Sequence, residues 1–158
     1  MAITGKAIAK KNLSMPEAAE ALTVTSVAVC DAFISSWDAK YYFGTIRPVT
    51  YINRHITPDW QPILQTPPFP EFPSAHSTIS AAAATVLTSF FGDHFAFTDS
   101  TEAPFGLPVR SFDSFIGAAL ECANSRMYGG IHFAQSNRSG TATGMKIGEK
   151  VLSKLNNQ

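Results

Sequence analysis

Residues 67–78, PPFPEFPSAHST, decide the fold because they join a proline-rich segment to the start of a helix. Each proline fixes φ and keeps the residue before it out of the helical region. The residues that follow, 79–87 (ISAAAATVL), are typical of a helix whose small side chains allow close packing. A helix N-terminus offers unpaired N–H groups and a partial positive charge, which suit a bound oxyanion. We therefore predict a stiff extended strap, residues 66–73, that leads into an anion-binding helix start.

The composition predicts a single domain, residues 1–158, that is large enough to bury one core. Twelve basic and twelve acidic residues balance without a run of like charge, so we expect no nucleic-acid partner. Every apolar stretch is interrupted by Ser, Thr, Asp or Gly, so we expect no membrane span. Residues 1–12 have no apolar core of a signal peptide. We expect a soluble protein, and the sequence leaves its location unknown.

Helical patterns cover most of the chain, and no clear strand is visible, so the predicted fold is an all-α helical bundle. The first long helix begins with the capping-box pattern Ser14-Met15-Pro16-Glu17, and the third is predicted to be capped by Ser111. A long loop between the second and third helices is expected to be functional or mobile. The predicted bounds are about 14–43, 76–91, 111–128 and 140–155 for the four main helices, and 93–110 for the loop.

Three separate segments carry cationic or hydroxyl side chains at regular spacings. The segments are Lys40 with Arg47-Pro48, then Pro73-Ser74-Ala75-His76, and finally Ser125-Arg126 with His132. None of the singled-out side chains is a carboxylate, so the set is unlike the anionic or neutral donors that hold a bare metal ion. It suits a tetrahedral oxyanion held by charge-assisted hydrogen bonds.

These segments resemble the signature of the vanadium-dependent haloperoxidase and type 2 phosphatidic acid phosphatase superfamily. That signature is K-x6-R-P, then P-S-G-H, then S-R-x5-H, and its three parts occur here in the same order over residues 40–132. The strap, together with Trp37 three residues before Lys40, further resembles the haloperoxidase branch. The resemblance implies a helical bundle of that family's type.

The resemblance also implies roles for the basic and hydroxyl groups. Lys40, Arg47 and Arg126 would bind the equatorial oxygens of vanadate or phosphate. Ser74 and the Ala75 amide would add hydrogen bonds.

The two histidines would stand on opposite sides of the bound anion. By the same resemblance, His132 is a nitrogen ligand to vanadium in a peroxidase, or the nucleophile on phosphorus in a phosphatase. His76 is the acid–base partner. Trp37 and Phe69 would line the halide side of the pocket, although as residues alone they are equally explained as core aromatics.

Three features depart from the family's pattern. Ala75 replaces a glycine and must avoid positive φ. Ser136 stands where an aspartate is usual four residues after the axial histidine, and a serine cannot stabilise an imidazolium as a carboxylate does. The chain also begins about one helix before the first motif, so we expect it to lack the family's N-terminal helices.

The leading functional prediction is a vanadium-dependent haloperoxidase that binds vanadate and oxidises halide with hydrogen peroxide, with Lys40 as a third catalytic residue that polarises the bound peroxide. The first alternative is an acid phosphatase that hydrolyses phosphate esters through a phosphohistidine and needs no cofactor beyond bound phosphate. The second is a truncated oxyanion-binding scaffold with little catalysis. A homo-oligomer is expected, because uncovered apolar surface along Val29, Phe33 and the glycine stripe Gly140, Gly144 and Gly148 would mark an interface.

Overall fold

Four long helices, α2, α4, α5 and α6, form the bundle. The computed structural model describes residues 1–155. Its helices are α1 (Ala2–Lys11), α2 (Met15–Phe43), α3 (Pro48–His55), α4 (Ala75–Phe91), α5 (Phe115–Tyr128) and α6 (Ala134–Leu155). The expectation of an all-α bundle with about four main helices is confirmed.

The first long helix, α2, begins where the capping box predicts. Glu17 Oε2 accepts hydrogen bonds from the Ser14 amide at 2.8 Å and from the Ser14 hydroxyl at 2.6 Å. This carboxylate satisfies an amide that has no partner inside the helix. The helix ends at Gly44, whose φ of 57° lies in the left-handed region. Lys40 therefore sits in the last turn of α2.

The central helix α4 packs against α2, α5 and α6 through small side chains. Ala81, Ala82 and Val86 are fully buried, and Ala84 is nearly so. Two apolar clusters share this helix, one toward α1, α5 and the loop, and the other toward α2 and α6. Small residues let the helix axes approach closely, so α4 is the element on which the other helices are placed.

The glycine stripe of α6 lies inside the bundle, so the expectation that it forms an uncovered interface is wrong. A Cβ on Gly140 would lie 2.7 Å from the Ser74 carbonyl oxygen, and one on Gly144 would strike the Thr78 carbonyl. Gly148 faces Thr85 in the same way. The stripe exists because the α6 backbone contacts α4 directly.

The loop between α4 and α5 contains a short antiparallel hairpin, which the sequence analysis missed. Strand β1 (Phe97–Asp99) pairs with β2 (Arg110–Phe112), and Phe97 lies opposite Phe112. Ser111 is part of β2, and the helix cap is Ser114, whose side chain accepts from the Gly117 amide. Two three-residue strands give too little alternation to be recognised in a sequence.

Two further boundaries differ from the expectations. Helix α6 begins at Ala134, six residues before the predicted start near Gly140. Helix α1 was not predicted, because its apolar face is short and its apolar residues alternate with lysines in the sequence. This face packs Ala7 into the core.

The face that α2 buries carries small residues, and its large residues point outward. Ala21, Ala28 and Ala32 are fully buried, whereas Phe33 is 45% exposed and Tyr41 is 66% exposed.

The segment Met15–His55, which contains α2 and α3, is a candidate membrane span by length and composition. The expectation that every apolar stretch is too interrupted to span a membrane is therefore wrong in these two respects. The core helix of a packed domain meets the same criterion, which makes it weak evidence for a membrane.

Candidate functional site

The strap is held by the buried ammonium group of Lys40. Its Nζ donates to the carbonyl oxygens of Pro70 at 3.0 Å, Glu71 at 3.0 Å and Pro73 at 2.6 Å. These bonds account for all three ammonium hydrogens. Burial and, after it, the nearby Arg47 charge lower the pKa of Lys40 to about 8, against the raising influence of Glu71. An anion at this site would replace one carbonyl or interact with Lys40 through charge alone.

Arg47, which begins α3 as its N-cap, joins the strap to the α5–α6 turn. Its Nε donates to the Phe69 carbonyl at 3.1 Å, and its Nη1 donates to the Ile131 carbonyl at 2.8 Å. The same Nη1 lies 3.1 Å from His132 Nε2. The guanidinium therefore fixes two motif segments, separated by 85 residues in sequence, in direct contact.

His132 lies in the turn between α5 and α6, where Gly130 has a φ of 78°. A Cβ on Gly130 would lie 2.8 Å from the Trp60 ring, so this turn needs glycine for both its conformation and its packing. The turn directs the buried His132 ring toward Arg47 on one side and toward Glu71 on the other.

A buried carboxylate in the strap, Glu71, forms the second contact of His132. Glu71 Oε1 lies 2.8 Å from His132 Nδ1 and accepts from the Phe133 amide at 3.0 Å. Its Oε2 accepts from the Ser136 hydroxyl at 2.6 Å. Burial alone would raise the pKa of Glu71, but its hydrogen bonds with His132, Ser136 and Phe133 outweigh this and lower it. Glu71 is thus held as a carboxylate.

The His132 ring is neutral. Burial lowers its pKa, and the charges of Arg47 and Lys40 lower it further, against the raising influence of Glu71. An arginine can only donate hydrogen bonds, so Nε2 must present its lone pair to Arg47, and Nδ1 must carry the hydrogen that Glu71 accepts. The lone pair therefore sits on the nitrogen that points away from the carboxylate.

The start of α4 provides further hydrogen-bond donors. Ser74 is the N-cap, and its Oγ accepts from the Ser77 amide at 3.4 Å and from the Ser77 hydroxyl at 2.8 Å. These bonds leave the Ser74 hydroxyl hydrogen available to a ligand. Ala75 is the first helical residue and does not have a positive φ, so its Cβ causes no strain. Its amide precedes the first intrahelical hydrogen bond.

His76 and Arg126 complete the set of predicted residues. The pKa of His76 is lowered to about 4, first by desolvation and then by the charges of Arg126, His132 and Lys40, although part of the side chain reaches solvent. Arg126 Nε is buried and has no hydrogen-bond partner within residues 1–155. A bound anion would accept the hydrogen bond that this buried donor lacks.

Trp37 and Phe69 lie against the cationic groups. The Phe69 ring centroid is 5.3 Å from Lys40 Nζ and 5.2 Å from Arg47 Cζ, within the range of cation–π contacts. The Trp37 and Phe69 rings are 5.2 Å apart. Both rings are half-buried, so they form an apolar wall beside the two cations.

An apolar cavity of about 740 Å³ lies elsewhere, between α1, α2, α4, α5 and the hairpin. Its lining is mainly apolar and includes none of the predicted site residues. Two lining residues are near site residues in the sequence: Ser80 follows His76 by one helical turn, and Ser125 directly precedes Arg126. We place the candidate site at the motif residues because they carry the charged and titratable groups.

The donor set fits a tetrahedral oxyanion such as vanadate or phosphate. Lys40, Arg47 and Arg126 outnumber the single buried carboxylate, Glu71, among the described site residues. The unpaired Arg126 Nε adds a donor for the anion's oxygens. The His132 Nε2 lone pair, which here accepts from Arg47, would be a ligand for the central atom once Arg47 donates to the anion instead.

Glu71 is the functional residue that sequence reasoning missed. Only cationic and hydroxyl side chains were considered as site residues, and Glu71 was assigned to the strap alone. Its position, three residues before Ser74 in a segment already assigned to the site, was the available signal.

The protein-family model described as the VCPO second helical-bundle domain matches residues 20–59 and 54–158. The crystal structure of the first bacterial vanadium-dependent iodoperoxidase is similar, with 52% sequence identity and a TM-score of 0.94. That match covers 96% of this chain and 37% of the iodoperoxidase chain.

Two more distant structures share the fold. Holo-type and apo-type bacterial vanadium-dependent chloroperoxidase are 20% and 18% identical, with TM-scores of 0.69 and 0.68. Each match covers 81% of this chain and 34% of the chloroperoxidase chain. A comparison with curated proteins found no match.

Proposed function

The chain belongs to the vanadium haloperoxidase family, in which it corresponds to the second helical-bundle domain, and on this premise we propose that it binds vanadate at His132 and takes part in halide oxidation by hydrogen peroxide. It spans 37% of the length of the similar iodoperoxidase, so the activity of the whole protein is part of the proposal. The observation that carries it is the His132 ring, whose Nε2 lone pair lies among cations.

The residues of this chain would hold the anion in complementary ways. Arg47 and Arg126 would donate to its oxygens, and Lys40 would contribute charge from beneath the strap. The Ser74 hydroxyl and the Ala75 amide would donate from the start of α4. His132 Nε2 would coordinate the metal, and bound vanadate would supply the Lewis-acidic centre that activates hydrogen peroxide.

His76 is suited to move protons during the reaction. With its pKa lowered to about 4, its ring is neutral at pH 7 and can accept a proton on the nitrogen that carries a lone pair. Trp37 and Phe69 would exclude water from one side of the site and give the halide an apolar approach.

The proposal is tested by halide oxidation with and without vanadate. The similar solved protein is an iodoperoxidase, so iodide is the halide of choice. The full chain with vanadate and hydrogen peroxide should form triiodide, and phosphate should inhibit by competing for the cations. His132→Ala should lose this activity and still bind phosphate, because Lys40, Arg47 and Arg126 remain.

A second assay separates the alternatives. If the chain instead hydrolyses p-nitrophenyl phosphate without vanadate, and vanadate inhibits that hydrolysis, the haloperoxidase proposal fails in favour of the phosphatase. If neither activity nor binding of phosphate or vanadate is found, both enzyme functions fail.

A further inference from the structure

Glu71 is the acceptor of a small buried network. The side chain is 2% exposed, and its two oxygens receive hydrogen bonds from the His132 ring, the Phe133 amide and the Ser136 hydroxyl. A buried carboxylate with this number of donors is fixed in one orientation. The Lys40 bonds to the carbonyls on either side of Glu71 fix the backbone that carries it.

Ser136 acts on the carboxylate and not on the imidazole. Its hydroxyl donates to Glu71 Oε2 at 2.6 Å, while the ring nitrogen of His132 faces Glu71 Oε1 at 2.8 Å. The Ser74 amide donates to the Ser136 carbonyl at 3.2 Å, so the strap and the first turn of α6 lie side by side. Because Ser136 and His132 contact the same carboxylate, we expect an aspartate at position 136 to reach the space that Glu71→Ala leaves.

We propose that Glu71 is the positioning residue of His132: its carboxylate holds the hydrogen on Nδ1 and so keeps the Nε2 lone pair directed at the oxyanion site. Ser136 orients Glu71 and has no direct part in holding the ring. The inference rests on the proposed function for what Nε2 would coordinate, but the tautomer itself is a property of the chain alone.

Phosphate and vanadate would bind through different sets of groups at this site. Phosphate would be held by the cations and hydroxyls, and removing the Glu71 charge should leave its affinity unchanged or higher, because a nearby negative charge is lost. Vanadate would additionally need the Nε2 lone pair. Loss of an outer partner of a metal-binding histidine weakens metal affinity by roughly ten- to a hundredfold.

The experiment compares the full chain with Glu71→Ala, Glu71→Met and the double variant Glu71→Ala/Ser136→Asp. Ser136→Ala is the control, since it removes one bond to Glu71 and leaves the carboxylate in place. The ¹⁵N chemical shifts of His132 without any anion report its tautomer, and calorimetry gives the affinities for vanadate and for inorganic phosphate. Glu71→Met keeps nearly the same shape without an accepting oxygen, and it replaces Glu71→Ala if the alanine variant does not fold.

The chain and the Ser136→Ala control should show the Nδ1–H tautomer. Glu71→Ala, or Glu71→Met in its place, should populate a mixture, because Arg47 Nη1 alone then favours the Nδ1–H form and it also donates to the Ile131 carbonyl. The variant should lose roughly ten- to a hundredfold in vanadate affinity relative to phosphate affinity. Ser136→Asp should restore both values in the double variant.

The proposal is overturned if His132 keeps a single Nδ1–H tautomer without the carboxylate, or if the ratio of vanadate to phosphate affinity does not change. It is also overturned if a folded double variant recovers neither value. If the chain binds neither anion, the proposed function fails, and the tautomer measurement still decides the role of Glu71.

Discussion

His76 and His132 are both neutral at pH 7 but have different surroundings, which is why different roles are expected of them. His132 is buried between a donor and an acceptor, whereas part of His76 reaches solvent and its ring makes no hydrogen bond to residues 1–155. Because Glu71 fixes Nδ1–H, the His132 ring is oriented to hold a ligand on Nε2 when Arg47 donates elsewhere. A ring with free nitrogens is suited to exchange protons with solvent.

Replacing His76 by alanine should reduce turnover without removing the bound anion. We expect iodide oxidation to fall by roughly a hundredfold or more, the usual loss for a general acid–base group. The affinity for vanadate should remain close to that of the unmodified chain, because Arg47, Arg126 and His132 are retained. Steady-state rates and calorimetric titration measure the two quantities, and a parallel loss of both would contradict the assignment. His94→Ala, in the loop before the hairpin, is the matched control.

Acidification should destabilise the anion-free chain. The pKa of His76 falls from 6.5 to about 4 on folding, and that of His132 also falls, so the unfolded chain binds more protons than the folded chain between these values. The free energy of unfolding therefore rises as the pH increases from about 4 to 6.5, and it decreases when the pH falls through the same range. Urea midpoints at pH 5 and pH 7 measure this difference, which should be smaller in His76→Ala. An equal difference in both proteins would show that His76 does not contribute.

The motif residues could be recognised in the sequence because their types and spacings are unusual together, but their contacts could not. Lys40 was expected to face the anion, whereas its three hydrogens point to strap carbonyls. The partnership of Glu71 with His132 joins positions 61 residues apart, and no local pattern reports such a contact. The assigned roles of the predicted site residues stay predictions.

Among the helices, α2 shows where periodicity is insufficient. Leu22, Phe33 and Tyr41 recur at helical spacing, yet they are partly or largely exposed, and the buried face is made of Ala21, Ala28 and similar small residues. Apolar spacing identifies a helix but does not say which of two apolar faces is buried. The Ala-rich α4 determines which face of α2 is buried, because only small residues of α2 can pack closely against it.

The contact between α4 and α6 predicts a strong effect of one methyl group. In Gly144→Ala the new Cβ would overlap with the Thr78 carbonyl oxygen, a backbone atom that cannot move away as a flexible side chain can. Forcing extra volume into a packed interior costs about 1–3 kcal/mol or more. We expect at least this decrease in the free energy of unfolding, measured by chemical denaturation.

The matched control for that substitution is Gly5→Ala in α1. No atom lies within 4 Å of the position its Cβ would take, so the change should stabilise the chain by about 0.4–1 kcal/mol. Equal effects of the two substitutions would show that α6 does not pack on α4 as described.

The molecule as a whole leaves an apolar surface on the outer side of α2. This α2 aromatic face consists of Phe33, Ile34, Trp37, Tyr41 and Tyr42, and it lines an open groove of about 600 Å³. Exposed apolar patches of this kind mark interfaces. The expectation of a homo-oligomer therefore remains a prediction, and it now rests on this face, since the glycine stripe is buried.

Sedimentation of the chain over a range of concentrations tests this prediction. Self-association through the α2 aromatic face should weaken in Ile34→Asp, because a second carboxylate would be placed in the groove beside Asp38. Tyr128→Asp is the control, since Tyr128 on α5 is 74% exposed and lies outside the groove. A well-folded monomer at all concentrations, or equal weakening by both substitutions, would contradict the prediction.

The three carbonyl bonds of Lys40 give the strap the character of a host in host–guest chemistry. Three oxygens of Pro70, Glu71 and Pro73 surround one ammonium group as the oxygens of a crown ether do, and the guest is covalently part of the same chain. An ammonium group enclosed in this way is shielded from acylating reagents while the host is closed. The rate at which Lys40 is acylated, compared with the exposed Lys146, therefore measures how often the strap opens.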